Sequence, residues 1–273
     1  MPTVDRYAVM GNPIHHSKSP RIHSLFAAQT GQRLEYTAIL VPIGEFAVQV
    51  DAFRDAGGRG LSVTVPFKQE AWVYVDGLGA RAERAGAVNT IVFGDDGESF
   101  GDNTDGIGLI RDLLHNHAAR LEGRRILLLG AGGAARGVVD PLLEQGPESL
   151  VIANRTPEKA VELALLFGDK GRTCGCRLEE LAGQAFDLII NATAAGLDDA
   201  LPPLPQGVLA PGGWCYDLMY ADTPTAFVRW GREHGAARAV DGLGMLVEQA
   251  AEAFYLWRGV RPDTGPVIRA LRN

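Results

Sequence analysis

Three groups of residues in this chain have the types and spacing for chemistry. The first is Gly130-Ala131-Gly132-Gly133-Ala134-Ala135. The apolar run Ile126 to Leu129 before it reads as a buried strand, and Val138, Val139, Leu142 and Leu143 after it read as one face of a helix. Strand, tight glycine turn and helix make the first half of a dinucleotide-binding βαβ unit. Gly130 permits the turn, Gly132 lets a pyrophosphate approach the backbone, and Ala135 stands where a third glycine is usual, still small enough for helix and strand to pack. Free N–H groups and the positive end of the helix dipole complete a phosphate site.

The following strand, Leu150 to Ala153, should carry the ribose-reading residue, roughly 20 positions on. It runs into Asn154-Arg155-Thr156. A site for NAD has an acid there to accept from the ribose hydroxyls; this chain has none. Arg155 is placed to meet a 2′-phosphate with a planar fork of donors, and Lys159 follows one helical turn on. The expected cofactor is therefore NADP(H). The same residues also read as a plain turn, with Thr156 as N-cap and Pro157 in the first helical position.

The other two groups lie earlier in the chain. In Val63-Thr64-Val65-Pro66-Phe67-Lys68, a β-branched strand enters a helix whose first turn carries Lys68. A lysine there opposes the helix dipole, which disfavours its charged form and brings the amine nearer to acid–base use; a solvated surface lysine is the bland alternative. In Gly101-Asp102-Asn103-Thr104-Asp105-Gly106, Asp105 suits the cap of a helix over 107–114, yet four hydrogen-bonding side chains in a row exceed what a cap requires. A nicotinamide enzyme that reduces a ketone needs a proton donor at the forming alkoxide, and Lys68 with Asp105 would make that pair. A smaller constellation is Ser17-Lys18-Ser19-Pro20: Ser19 reads as an N-cap before Pro20, which leaves Ser17 unexplained, and two hydroxyls at a helix start can hold a small carboxylate.

These groups need strand ends to present them. Strands are expected at 6–10, 34–41, 61–65, 126–129, 150–153, 187–191 and 215–218, with helices over 20–30, 44–56, 67–75, 243–258 and 264–272, and a hairpin of Val88–Phe93 with Glu98–Gly101 around Asp96-Gly97. The alternation predicts an α/β protein of two α/β domains with parallel sheets: residues 1–104 for substrate and catalysis, a Rossmann-type nucleotide domain over 105–241, and C-terminal helices over 242–273. A length of 273 residues fits two domains. The net charge of −7 argues against general nucleic-acid binding, and no apolar run reaches membrane-spanning length. The N-terminus lacks a signal-peptide pattern, so a cytoplasmic location is expected. The three cysteines make no disulfide framework, Cys174-Gly175-Cys176 is too sparse for a metal site, and the six histidines are scattered, so no metal is expected.

Taken in order, these motifs resemble the shikimate dehydrogenase family, end to end. The resemblance is carried by Gly11-Asn12-Pro13-Ile14, His16 to Pro20, Val63 to Lys68, Gly86-Ala87-Val88-Asn89-Thr90, Gly101 to Gly106, Gly130 to Ala134, Asn154-Arg155-Thr156, Asn191-Ala192-Thr193 and Asp241-Gly242-Leu243-Gly244-Met245-Leu246. It implies reversible reduction of 3-dehydroshikimate to shikimate by NADPH, on the route to chorismate and aromatic amino acids. It further implies that Ser17 and Ser19 hold the substrate carboxylate and that Thr64, Asn89, Tyr220 and Gln249 bind the substrate. Lys68 and Asp105 would be the catalytic pair. Gly130, Ala131, Gly132, Gly133 and Ala134 would cradle the pyrophosphate, Asn154, Arg155, Thr156 and Lys159 the adenosine phosphate, and Thr193, Met219, Gly242 and Met245 would lie near the nicotinamide. The family also implies that the C-terminal helices return to the first domain and that the protein is a monomer or homodimer. Ala194-Ala195 departs from relatives that carry serines there. A quinate/shikimate dehydrogenase using NAD, and a non-catalytic NADP(H) sensor of the same fold, are the competing readings.

Overall fold

The structure, a computed structural model, describes residues 4–193 and 200–272; Ala194 and Ala195 lie outside them. The chain divides into two compact units, Met1–Gly108 with Leu246–Asn273, and Leu109–Met245.

The first unit is built on β1 (Asp5–Gly11), α1 (Ser19–Thr30), β2 (Leu34–Leu40), α2 (Phe46–Asp55), β3 (Gly58–Val63), α3 (Lys68–Tyr74), β4 (Gly77–Leu78), α4 (Ala80–Ala85), β5 (Thr90–Phe93), β6 (Ser99–Asp102) and the start of α5 (Asp105–Arg111). Its sheet runs β2-β1-β3-β5-β6-β4. β1 is parallel to both β2 and β3, whereas β5 is antiparallel to β3 and to β6. Two reversals restore the direction of β6 to that of β3. The ends of β1, β3 and β6 and the start of β5 therefore share one sheet edge, and the register pairs Ser62 with Thr90 and Thr90 with Asp102. Met10, Leu61, Val63, Phe46 and Phe67 fill the core on one face.

The second unit contains β7 (Arg125–Leu129), α6 (Gly133–Leu143), β8 (Ser149–Ala153), α7 (Pro157–Leu166), β9 (Thr173–Cys176), β10 (Phe186–Asn191), β11 (Leu209–Asp217), α8 (Ala226–Glu233) and β12 (Arg238–Val240). All its strand pairs are parallel, in the order β12-β11-β10-β7-β8-β9. Numbered within the unit this is 3-2-1-4-5-6, the doubly wound Rossmann order, with its switch point between β7 and β10. The chain re-enters the first unit within α9 (Leu243–Arg258) and ends in α10 (Thr264–Arg272). Trp257 of α9 donates to Ile91 O at 3.0 Å, and Gly60 has no room for a side chain because a Cβ would stand 2.4 Å from the indole nitrogen.

Several local expectations need correction. Ser19 is not the side-chain cap of α1: it begins the helix, Lys18 occupies the cap position without a side-chain capping bond, and Ser17 Oγ accepts the Ser19 N–H at 3.3 Å. Asp105 is not a cap either: it is the first residue of α5, and its carboxylate is taken by Lys68 and Asn89. Thr156 stands at the cap of α7 without a side-chain bond. Beyond Arg111 the α5 backbone continues as a π-helical turn, Asp112–Asn116. β11 starts well before Cys215 because Pro211, Gly212 and Gly213 form an irregular entry, with Gly212 at φ 76° and a register shift against β10. β9 hides in Cys174-Gly175-Cys176, where a Cβ on Gly175 would stand 2.4 Å from the backbone of Ala160 in α7. The glycine of that motif is a packing requirement.

The ends of β10 and β11 are tied by one buried pair. Asn191 Nδ2 donates to Asp217 Oδ1 at 3.0 Å, Asp217 Oδ1 accepts the Met219 N–H at 3.1 Å, and Thr225 donates to Asp217 Oδ2 at 2.6 Å. Asp217 is fully buried, and that burial outweighs its hydrogen bonds and raises its pKa from 3.8 to about 6. A carboxyl whose folded pKa is raised holds its proton longer in the folded state, so folding loses stability as pH rises through the window from about 4 to about 6. Asp217→Asn cannot ionise. Its unfolding free energy should gain on that of the natural protein by up to about 3 kcal/mol between pH 4 and pH 7, read from urea titrations; a difference that is flat with pH contradicts this.

Candidate active site

Five side chains of the first unit meet at the edge where β5 begins and β6 ends. Lys68, the first residue of α3, places Nζ on Asp105 Oδ2, and the two side chains are only 12% and 6% exposed. Asp105 Oδ1 accepts from Asn89 Nδ2 at 2.8 Å. The same amide reaches Thr104 Oγ1 at 2.9 Å and Gln249 Oε1 at 3.3 Å, and Thr104 Oγ1 lies 3.2 Å from Gln249 Oε1. Asn89 Oδ1 in turn accepts the Thr104 N–H at 2.9 Å. Asn89, at 3% exposure, is the hub of this cluster. A buried ion pair needs such bonds on its remaining lone pairs to offset desolvation. Thr104 is a member that the sequence reading does not single out, although the polar run 102–105 points to its loop.

Ser17, Ser19 and Thr64 follow β1 and β3 on the same edge. Ser19 is buried beside Tyr36, whose hydroxyl donates to Ser62 Oγ at 2.7 Å. Burial raises the Tyr36 pKa, so the hydroxyl stays protonated. Thr64 owes its place to Gly11: a Cβ there would overlap Thr64 Cγ2 at 2.4 Å. Tyr220 belongs to the second unit, half-buried on the loop after β11.

In the second unit, Gly130 follows β7 at φ 106°, with the Ala192 carbonyl 2.9 Å from where a Cβ would sit, so both backbone angle and space require glycine. Gly132 differs. Its φ is −84°, and a Cβ would meet nothing within 4 Å. No contact inside the unit requires that glycine, which leaves the backbone of the turn open to solvent. Gly133 opens α6 with no acid in the first turn and no side-chain cap, leaving its N–H groups facing out. Ala131 is buried and Ala134 half-buried in the same turn. Beyond β8, Asn154 Nδ2 donates to Thr156 O at 2.9 Å and shapes the turn that carries Arg155. Arg155 and Lys159 are exposed, and among the described residues neither has an ion-pair partner. An uncapped helix start, an open glycine and two unengaged cations fit a phosphorylated dinucleotide.

The switch point is lined from its other side by Thr193, whose hydroxyl donates to Asn191 Oδ1 at 2.7 Å, and by Met219, whose carbonyl accepts the Gly242 N–H at 2.9 Å. Gly242 is held so close that a Cβ would stand 2.4 Å from Leu218 O. Met245 is buried in the core of this unit. Among the described residues no three His, Cys, Asp or Glu side chains gather to hold a metal ion, and no helix is long and apolar enough to cross a membrane.

Comparison with known proteins agrees with both halves of this geometry. Residues 9–91 match the shikimate dehydrogenase substrate binding domain, residues 112–197 the shikimate/quinate 5-dehydrogenase family, and residues 242–272 the shikimate 5'-dehydrogenase C-terminal domain. Shikimate dehydrogenase (NADP(+)) of Alkalilimnicola ehrlichii is 60% identical, with 98% of each chain covered, and that of Methylococcus capsulatus is 61% identical over 98% of this chain and 96% of its own. Among solved structures, shikimate 5-dehydrogenase from Thermus thermophilus, in complex with NADP(H) and shikimate, is 36% identical and superposes with a TM-score of 0.86 over 98% of this chain and 99% of its own. A Rossmann unit with a glycine turn in one half of the chain, a sheet edge bearing a buried lysine–carboxylate pair in the other, and these relatives along its whole length place the chain in the shikimate dehydrogenase family.

Proposed function

We propose that this chain catalyses the reversible reduction of 3-dehydroshikimate to shikimate with NADPH, and that Lys68 and Asp105 manage the proton. The observation that carries the mechanism is the buried Lys68–Asp105 pair, held by Asn89 on an edge that also presents the hydroxyls of Ser17, Ser19 and Thr64.

NADP(H), when bound, supplies or accepts the hydride at the ring carbon. Gly130, Ala131, Gly132, Gly133 and Ala134 hold its pyrophosphate, and Asn154, Arg155, Thr156 and Lys159 its 2′-phosphate end. Thr193, Met219, Gly242 and Met245 hold the nicotinamide end. Ser17 and Ser19 bind the substrate carboxylate by hydroxyl donation, while Thr64, Asn89, Tyr220 and Gln249 bind its hydroxyls. As the carbonyl carbon gains hydride, its oxygen gains charge and takes one proton from the Lys68–Asp105 pair; in the reverse direction the pair takes that proton back. The two groups share the proton through a direct bond and act as one acid–base unit. A binding-only sensor has no use for an ion pair buried beside hydroxyl donors. The proposal includes a small-molecule substrate, a cytoplasmic setting, no nucleic-acid or membrane partner, and a monomer or homodimer.

Mixing the protein with shikimate or quinate and NADP⁺ or NAD⁺, and following absorbance of the reduced nicotinamide, tests the activity. Shikimate with NADP⁺ should be the fastest combination; no turnover with any pair contradicts the proposal. A charge-assisted phosphate contact contributes roughly 1.5–3 kcal/mol, so Arg155→Ala should raise the KM for NADP⁺ about tenfold or more and leave that for NAD⁺ unchanged; equal losses for both cofactors would remove Arg155 from the 2′-phosphate.

Acid–base groups contribute about 10²–10⁴-fold to rate, so Lys68→Met, which keeps the stem and removes the charge, should lower kcat at least about a hundredfold. NADPH fluorescence titration should show cofactor affinity intact in the same variant. A kcat within about fivefold of the natural protein would make Lys68 a binding residue only.

A further inference from the structure

We infer that Arg81 is a positioning residue for this reaction: its one guanidinium, clamped on two carboxylates, sets both Asp105 and Gln249. The inference rests on the roles proposed above for those two residues.

Arg81 lies in the first turn of α4. Its Nε donates to Asp102 Oδ1 at 3.1 Å and its Nη2 to Asp102 Oδ2 at 2.5 Å, a two-bond fork, while Nη1 donates to Glu252 Oε1 at 3.2 Å. Each acidic side chain is 8% exposed. Asp102 ends β6, and its Oδ1 also accepts the Asn103 N–H at 2.7 Å. Asn103 Oδ1 accepts the Asp105 N–H at 3.1 Å, and Asn103 Nδ2 donates to Ala87 O at 2.9 Å. A continuous relay of hydrogen bonds thus runs from the guanidinium to the backbone of Asp105. The Asp102 carbonyl meanwhile accepts the Asn89 N–H at 3.1 Å, so the same residue fixes the hub of the cluster.

The second arm acts through α9. Glu252 lies three residues after Gln249, on the same helix face. Holding Glu252 therefore fixes the turn of α9 whose Gln249 Oε1 reaches Asn89 and Thr104. Arg261, 2.6 Å from Glu252 Oε2, holds that carboxylate from its other oxygen. The fit at Asp102 is close, since a Cβ on Gly79 would stand 3.1 Å from its carboxyl group.

A cation that merely neutralised two buried acids would do so equally well as lysine. Gripping one carboxylate with two bonds while touching a second requires the planar fork of arginine. Arg81→Lys and Arg81→Met therefore separate the two roles.

The test compares kcat and KM for shikimate and for NADP⁺ in the natural protein, Arg81→Lys and Arg81→Met, with Asp105→Asn as reference and melting temperature recorded for each. Arg81→Met loses a charge between two acids and is the variant at risk of misfolding; Arg81→Lys keeps the charge. Small displacements of reacting groups are costly, so Arg81→Lys should lower kcat about tenfold or more and raise the KM for shikimate at least about threefold, with the KM for NADP⁺ within about twofold. Lysine restoring kcat and the KM for shikimate to within about twofold would reduce Arg81 to a neutralising role and overturn the inference. So would equal changes in the two KM values. Full turnover in Asp105→Asn would overturn the inference together with the reading beneath it, whereas loss in Asp105→Asn with normal Arg81 variants would overturn the inference alone.

Discussion

The Asp105 carboxylate, taken out of water and held between Lys68 and Asn89, is the constraint on which the substrate-side edge depends. An unpaired charge there would be costly, and a lone lysine in the first turn of α3 would face the helix dipole without compensation. Each removes the other's penalty. The surrounding sheet explains why they meet: β5 reverses against β3, β6 reverses against β5, and the loops at Asn89 and at Asn103–Asp105 return to the edge where α3 starts. The antiparallel insertion in an otherwise parallel sheet is what assembles the cluster.

The Rossmann unit solves a different problem with backbone. Its functional turn carries almost no reactive side chains; it offers an uncapped helix start and an open glycine instead. The side chains that matter there are structural, Asn191 and Asp217, which join the ends of β10 and β11 and hold Thr193 and Met219 by their N–H groups. Arg155 and Lys159 add an exposed pair of cations beyond β8, of the kind that suits a phosphate. One unit thus buries a lysine–carboxylate pair in a crosslinked cluster of side chains, and the other leaves a helix start uncapped beside two exposed cations.

What is legible in the residues follows from range. Local chemistry is readable: the glycine turn after an apolar strand, the helix over 243–258 closed by Gly259, the excess of polar groups at 102–105, and a lysine on the wrong end of a helix. Features set by distant partners are not. β9 shows no alternation because Gly175 exists to admit the backbone of α7, and the entry to β11 is disguised by Pro211-Gly212-Gly213. Ser19 is not the cap that its place before Pro20 suggests: the helix already starts at Ser19, and it is Ser17 Oγ that accepts a backbone N–H, that of Ser19. Arg81 carries no local signal at all. A lone arginine in a short helix looks like a solvated surface, and only the fold brings Asp102 and Glu252 to it.

If Lys68 and Asp105 are one acid–base unit, their removal must be non-additive, and a double-mutant cycle on kcat measures this directly. Residues acting together on one step lose almost everything with the first substitution. The account predicts that Lys68→Met with Asp105→Asn is within about threefold of the slower single variant. A double variant slowed by the product of the two single effects would show two independent contributions, and would contradict the shared-proton mechanism.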